Sequence, residues 1–142
     1  MNMRLGHLAI RARDIEASAK FYREVIGFKE AFRMNSADTG KLGAVYIYIA
    51  PSQFIEIFPN GSGEQTDNDV IGIKHICIEV DNAAKCLEEL RSRGAPIDTE
   101  LKTGISRCIQ FWTHDPDGNK VEFMELPPES LQAQANKRIA EQ

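Results

Sequence analysis

The feature that most constrains this chain is an internal repeat. The short apolar stretch Arg4-Leu5-Gly6-His7-Leu8-Ala9-Ile10-Arg11 returns as Ile73-Lys74-His75-Ile76-Cys77-Ile78-Glu79-Val80. His7 and His75 stand 68 residues apart, Asp14 and Asp81 67, Gly27 and Gly94 67, and Glu56 and Glu122 66. A drift of one residue between landmarks is what small differences in loop length leave between two copies of one unit. Each copy is too small to close a sheet of its own, so two copies are expected to pair and bury a core.

Within the first copy the pattern reads strand, helix, then three strands. Residues 4–11 are short and apolar-rich, as a strand requires. Asp14 offers a side-chain oxygen to the free N–H groups of a following helix. Ile15, Ala19, Tyr22 and Ile26 recur at helical spacing, and Gly27 sits where a left-handed cap is expected. Strand-like stretches follow at 28–34, 44–50 and 53–58, the last two joined by a Pro51-Ser52 turn.

The second copy opens with a strand at 73–80. Asp81 is expected to cap a helix with the stripe Ala83, Leu87 and Leu90, ended by Gly94. Strands are expected at 97–101, 107–113 and 120–126, the last after the turn residues Asp115-Pro116-Asp117-Gly118-Asn119. This divides residues 1–127 into module 1 (1–60), a polar linker (59–72) and module 2 (73–127). Residues 128–142 form a tail that is expected to be a surface helix.

Charge narrows the partners. A net charge of -4 and no cluster of Lys and Arg exclude a nucleic-acid binder. No apolar run approaches the roughly 20 residues that cross a bilayer, and residues 1–13 lack the apolar core of a signal peptide. Cys77, Cys86 and Cys108 form no C-x-x-C pair and read as reduced thiols of a cytoplasmic protein. The partner expected is a small-molecule substrate.

Strand parity places His7 with Leu5 and Ala9, Glu56 with Phe54 and Phe58, His75 with Ile73 and Cys77, and Glu122 with Met124 and Leu126. Taken singly, each is more often a satisfied core or surface residue. As a set they repeat with the unit, and a two-fold arrangement would bring all four together. Two neighbouring buried carboxylates are costly without a cation. A divalent ion held by His7, Glu56, His75 and Glu122 removes that objection. Imidazole nitrogen and carboxylate oxygen without thiolate suit Ni²⁺, Co²⁺, Zn²⁺, Mn²⁺ or Fe²⁺. His114, Tyr46, Tyr48, Phe111 and Trp112 read as surface or packing residues. Parity lets only one of Phe111 and Trp112 face a pocket.

These residues resemble the vicinal oxygen chelate superfamily, and within it the short bacterial glyoxalase I type. The resemblance rests on Gly6-His7-Leu8-Ala9-Ile10, Phe21-Tyr22 before Gly27-Phe28, Phe54-Ile55-Glu56-Ile57, Lys74-His75-Ile76-Cys77, and residues 115–123. It implies an α+β fold of two tandem βαβββ modules whose mixed sheets form a cupped, barrel-like metal site. It implies a homodimer with sites between modules, the ligands of one site coming from both chains, and His7, Glu56, His75 and Glu122 as those ligands. The hemithioacetal of methylglyoxal and glutathione would be isomerised to a thioester through an enediolate, the metal stabilising the developing oxyanion. A ligand carboxylate, Glu122 ahead of Glu56, would carry the proton. Arg11 and Asn60 match places that hold the charged ends of glutathione. The stretch Thr103-Gly104-Ile105-Ser106-Arg107 departs from the pattern by lacking a lysine there, with Lys102 or Arg107 as substitutes.

Other functions on the same resemblance are a methylmalonyl-CoA-type epimerase, a small ring-cleaving dioxygenase and a fosfomycin thiol transferase. The epimerases carry Gln where this chain has Glu56, and the other two use fewer ligands. A binding or resistance protein with a structural metal, or with none, is the non-enzyme alternative.

Overall fold

A computed structural model describes residues 3–65 and 69–141; residues 66–68 of the expected linker and 142 of the tail lie outside the described residues. The chain divides into two compact units, Met1–Thr66 with Asp115–Gly118, and Asp67–His114 with Asn119–Gln142.

In the first unit β1 (His7–Arg11) leads into α1 (Ile15–Lys20), followed by β2 (Lys29–Asn35), β3 (Leu42–Ala50) and β4 (Gln53–Phe58). Asp14 caps α1 by accepting from the amides of Glu16 and Ala17 at 3.0 and 3.1 Å. The helix continues as a wide π-helical segment, Phe21–Ile26, before Gly27 ends it at φ 96°. That widening lets the adjacent Phe21 and Tyr22 both bury, where a strict 3.6-residue period favours one. The sheet runs β1-β4-β3-β2, parallel only between β1 and β4. Val45, Ile47, Ile55 and Ile57 point to one face and are fully buried, as are Ala19 and Tyr22 of the helix.

The turn Asp115–Gly118, expected within module 2, belongs to the first unit. There the Tyr22 hydroxyl donates to Asp115 at 3.0 Å, and the Asp117 carboxylate accepts from the Arg13 amide and the Ser18 hydroxyl. Burial and the Asp115 charge push the Tyr22 phenol well above its ordinary pKa of 10.

In the second unit β5 (His75–Glu79) is followed by α2 (Ala83–Ser92), β6 (Thr99–Thr103), β7 (Ile109–His114), β8 (Lys120–Glu125) and α3 (Leu131–Ala140). The order β5-β8-β7-β6, parallel only between β5 and β8, reproduces the first sheet. Phe111 and Phe123 stack at 5.1 Å and are buried along with Val121, Leu87 and Leu90. Asn82, not the expected Asp81, caps α2, its side chain accepting from the Lys85 amide at 2.8 Å. The helix therefore starts one residue later than the repeat suggests. No residue of α3 is buried; its first amide donates to Ser106 and the Cys108 thiol donates to Gln132. Each module is thus βαβββ, and the two mixed sheets are open rather than closed on themselves.

Candidate metal centre

Each sheet has one face toward its own helix and one open face, and the predicted ligands lie on the open faces. His7 opposes Phe54 and Ala9 opposes Glu56, so His7 and Glu56 are diagonal neighbours across β1 and β4. Their Nε2 and Oε2 atoms are 3.3 Å apart. Across β5 and β8, His75 opposes Lys120 and Cys77 opposes Glu122, and the corresponding atoms of His75 and Glu122 are 3.2 Å apart. Both carboxylates are 7% exposed, while both histidines are open to solvent. The four predicted ligands thus form two equal pairs, one in each unit. Among the described residues, no group of three or more His, Cys, Asp and Glu is placed to hold a metal ion.

The donor chemistry of each pair suits a divalent ion. Two ligands each about 2.1 Å from an ion, at angles of about 90–110°, stand about 3.0–3.4 Å apart, and both pairs fall in that interval.

Two neighbours were not read as site residues in the sequence. The Tyr46 hydroxyl donates to Glu56, and this bond first, then burial, raises the phenol above its ordinary pKa. Its ring meets His7 edge-on at 6.0 Å and stacks on Phe32 at 4.3 Å. In the second unit Cys77 takes the corresponding part. Its thiol is pushed up to about 12, by burial first and then by Glu122, to which it donates a hydrogen bond, although the residue as a whole is exposed. Trp112 opposes Glu122 as Tyr46 opposes Glu56, and its ring meets His75 edge-on at 4.8 Å. Of Phe111 and Trp112, it is therefore Trp112 that faces the open side.

A β-bulge separates Tyr46 from the turn. Ala50 opposes Gln53 across the Pro51-Ser52 turn, yet Tyr48 opposes Phe54, so the register shifts by one between them. A one-residue slip exchanges the two faces of a strand. Counting back from the turn without the bulge would set Tyr46 opposite Ile57, on the helix side. The step of 66 residues from Tyr46 to Trp112, equal to that from Glu56 to Glu122, is the signal that could have found both.

Arg11 lies at the end of β1, its guanidinium 5.4 Å from the Phe58 ring centre and donating to the Pro59 carbonyl at 2.9 Å. Asn60 follows with φ 63°, a left-handed conformation that asparagine tolerates. Arg11 also lines a cavity of about 170 Å³ with Arg13, Gly61, Ser62, Gly63 and Asp117. His114 is not at either pair; its Nδ1 lies 2.8 Å from Asp98.

Comparison with known proteins gives a consistent result. The model of the Glyoxalase/Bleomycin resistance protein/Dioxygenase superfamily matches residues 4–123. A lactoylglutathione lyase of Salmonella typhimurium is 33% identical over 129 residues, covering 87% of this chain and 93% of its own. A mitochondrial methylmalonyl-CoA epimerase of Mus musculus is 28% identical over 120 residues, covering 80% of this chain and 67% of its own. Among solved structures, a glyoxalase family protein from Enterococcus faecalis superposes with a TM-score of 0.74 at 22% identity, covering 86% of this chain and 97% of that one.

Proposed function

This chain belongs to the Glyoxalase/Bleomycin resistance protein/Dioxygenase superfamily, and on that premise we propose that it is a divalent-metal-dependent lyase of the glyoxalase I type. Its substrate is the hemithioacetal of methylglyoxal with glutathione or a related thiol, and its product is the S-lactoyl thioester. The observation that carries this reading is the matched pair of His–Glu contacts, 3.3 and 3.2 Å, on equivalent open sheet faces. The relative of 33% identity, named a lactoylglutathione lyase, supports it.

His7, Glu56, His75 and Glu122 would hold the ion, with Ni²⁺ or Co²⁺ foremost. When bound, the metal supplies Lewis acidity to the substrate's oxygens. A homodimer would complete the site. His7 and Glu56 of one protomer join the partner subunit's His75 and Glu122. Phe32 and Met34, 45% and 44% exposed on β2, leave apolar surface that a second copy would cover. The three free cysteines accord with the reducing cytoplasm.

The chain's own chemistry is proton transfer. Glu122, with Glu56 as the second candidate, takes the proton from the carbon bearing sulfur and returns it to the neighbouring carbon, the former ketone. Their burial limits exchange of that proton with water. Arg11 and Asn60 hold charged ends of the thiol carrier.

The test is activity on the methylglyoxal–glutathione hemithioacetal, with apo protein reloaded in turn with Ni²⁺, Co²⁺, Mn²⁺ and Zn²⁺. Metal-dependent thioester formation is expected. Silence with every metal at confirmed stoichiometric binding would overturn the reaction while leaving the metal site.

A further inference from the structure

The two His–Glu pairs are matched in most respects that bear on a ligand. Each carboxylate is 7% exposed, and each meets its histidine at nearly the same distance, 3.3 Å for His7 and Glu56 and 3.2 Å for His75 and Glu122. An aromatic residue stands opposite each, Tyr46 across from Glu56 and Trp112 across from Glu122. What differs is the group that donates to the carboxylate. Glu56 accepts from the Tyr46 phenol on β3, and Glu122 accepts from the Cys77 thiol on β5.

The two donors are unequal in strength and in fixity. A phenol O–H is a full hydrogen-bond donor, whereas a thiol S–H is a weak one. The Tyr46 ring is also held by its neighbours. It stacks on Phe32 at 4.3 Å, with Phe54 edge-on at 6.1 Å and His7 edge-on at 6.0 Å. Phe32 and Glu56 are its partners on the strands to either side, so the backbone register sets the base of the ring while the rings around it set its tilt. A phenol held in this way keeps its hydroxyl on Glu56. Cys77 is an exposed residue whose sulfur turns about a single side-chain torsion. A donor of the first kind fixes the carboxylate it bonds, and one of the second kind lets it turn.

We propose that Tyr46 is a positioning residue that makes Glu56 the fixed ligand of the centre and leaves Glu122 as the carboxylate that turns toward the substrate. The inference deepens the proposed function, on which it rests for the ion, by choosing between the two candidate bases from groups peculiar to this chain. In that division Glu122 removes the proton from the carbon bearing sulfur and returns the same proton to the neighbouring carbon, so none is gained or lost. Glu56 keeps its place throughout. The repeat supplies two equivalent carboxylates, and the donor that belongs to one copy alone sets their roles apart.

The experiment is a double-variant cycle read by calorimetric titration of apo protein with Ni²⁺. Tyr46→Phe is measured alone, with Glu56→Gln and with Glu122→Gln, and Cys77→Ala is its counterpart in the second unit. Phenylalanine keeps the stacked ring and glutamine the shape of the carboxylate, so the variants are expected to fold, which their melting temperatures check. Tyr46→Phe should weaken Ni²⁺ binding about tenfold or more alone and beside Glu122→Gln, but about twofold or less beside Glu56→Gln, where no carboxylate is left to orient. Cys77→Ala should cost about threefold or less, as a weak donor implies. An equal loss for Cys77→Ala, or a Tyr46→Phe loss undiminished beside Glu56→Gln, would overturn the proposal. In the hemithioacetal assay Tyr46→Phe should raise the residual turnover of Glu122→Gln about tenfold by releasing Glu56 to act as base. A tyrosine with only a structural part would lower that turnover further, and such a result counts against the proposal. A silent assay would count against the reaction alone, the affinity cycle then deciding. Failure of the wild type to bind Ni²⁺ would remove the metal centre and this proposal together.

Discussion

Glu56 and Glu122 are each almost out of solvent, and each has a neighbour besides its histidine: Tyr46 donates to the first and Cys77 to the second. Such donors orient a ligand carboxylate, and losing one typically costs 10–100-fold in metal affinity. Tyr46→Phe is therefore expected to weaken metal binding by about tenfold or more, with the stacked ring pair of Phe32 and position 46 retained; a titration with Ni²⁺ or Co²⁺ reads it directly. Glu122→Gln tests proton transfer. It keeps the shape of the carboxylate and removes the base, so kcat is expected to fall about 10²–10⁴-fold with little change in melting temperature. Full activity in both Glu122→Gln and Glu56→Gln would remove the carboxylates from the mechanism. At this scale the two His–Glu pairs were legible in the sequence because they recur with the repeat. The donors to the carboxylates differ between copies, a tyrosine on β3 in one and a cysteine on β5 in the other, so the repeat marks the aromatic positions 46 and 112 but not a shared donor.

Helices and strands form where the apolar spacing and caps place them, and the differences trace to local irregularities. The cap of α2 falls on Asn82 rather than Asp81, and the bulge before Ala50 reverses the face of Tyr46. Gly61 marks a close approach. Its amide donates to the Ala12 carbonyl at 2.8 Å, and an added Cβ would stand 2.9 Å from the Ala12 carbonyl carbon. Gly61→Ala is thus expected to cost about 1–3 kcal/mol, measured by denaturant unfolding; an unchanged midpoint would show that the segment yields. On β2, hydrogen bonds from Arg33 first, and from Arg23, hold the Glu30 carboxyl at about 2, against 4.5 ordinarily. A lowered folded-state value means stability present above about pH 4.5 and lost as pH falls toward 2. Because the network is at the surface, the loss attributable to it is on the order of 1 kcal/mol. Glu30→Gln should lessen the drop in stability between pH 5 and pH 2.5, and an identical pH profile would contradict the assignment.

For the molecule as a whole, the proposed completion of each site by two copies makes a prediction that single variants cannot. His7→Ala removes a ligand from the first unit and His75→Ala one from the second, and each variant alone is expected to be inactive. Refolded together, their heterodimer would hold one site with both lesions and one with neither, so activity should return. If all four ligands of a site came from one chain, mixing would restore nothing. Sedimentation should show a dimer for the wild type and for both variants.

The periodicity of apolar residues, the turn and cap residues and the 66–68-residue steps determined two βαβββ copies and the four ligand candidates, because each of these is written within a few residues of chain. Tertiary structure alone decided which face of a strand each neighbour of the ligands occupies, since a bulge changes the register without changing composition. It also decided that the turn Asp115–Gly118 joins the first unit and that the Cys77 thiol meets Glu122. Both depend on contacts between residues far apart along the chain, which no local spacing encodes.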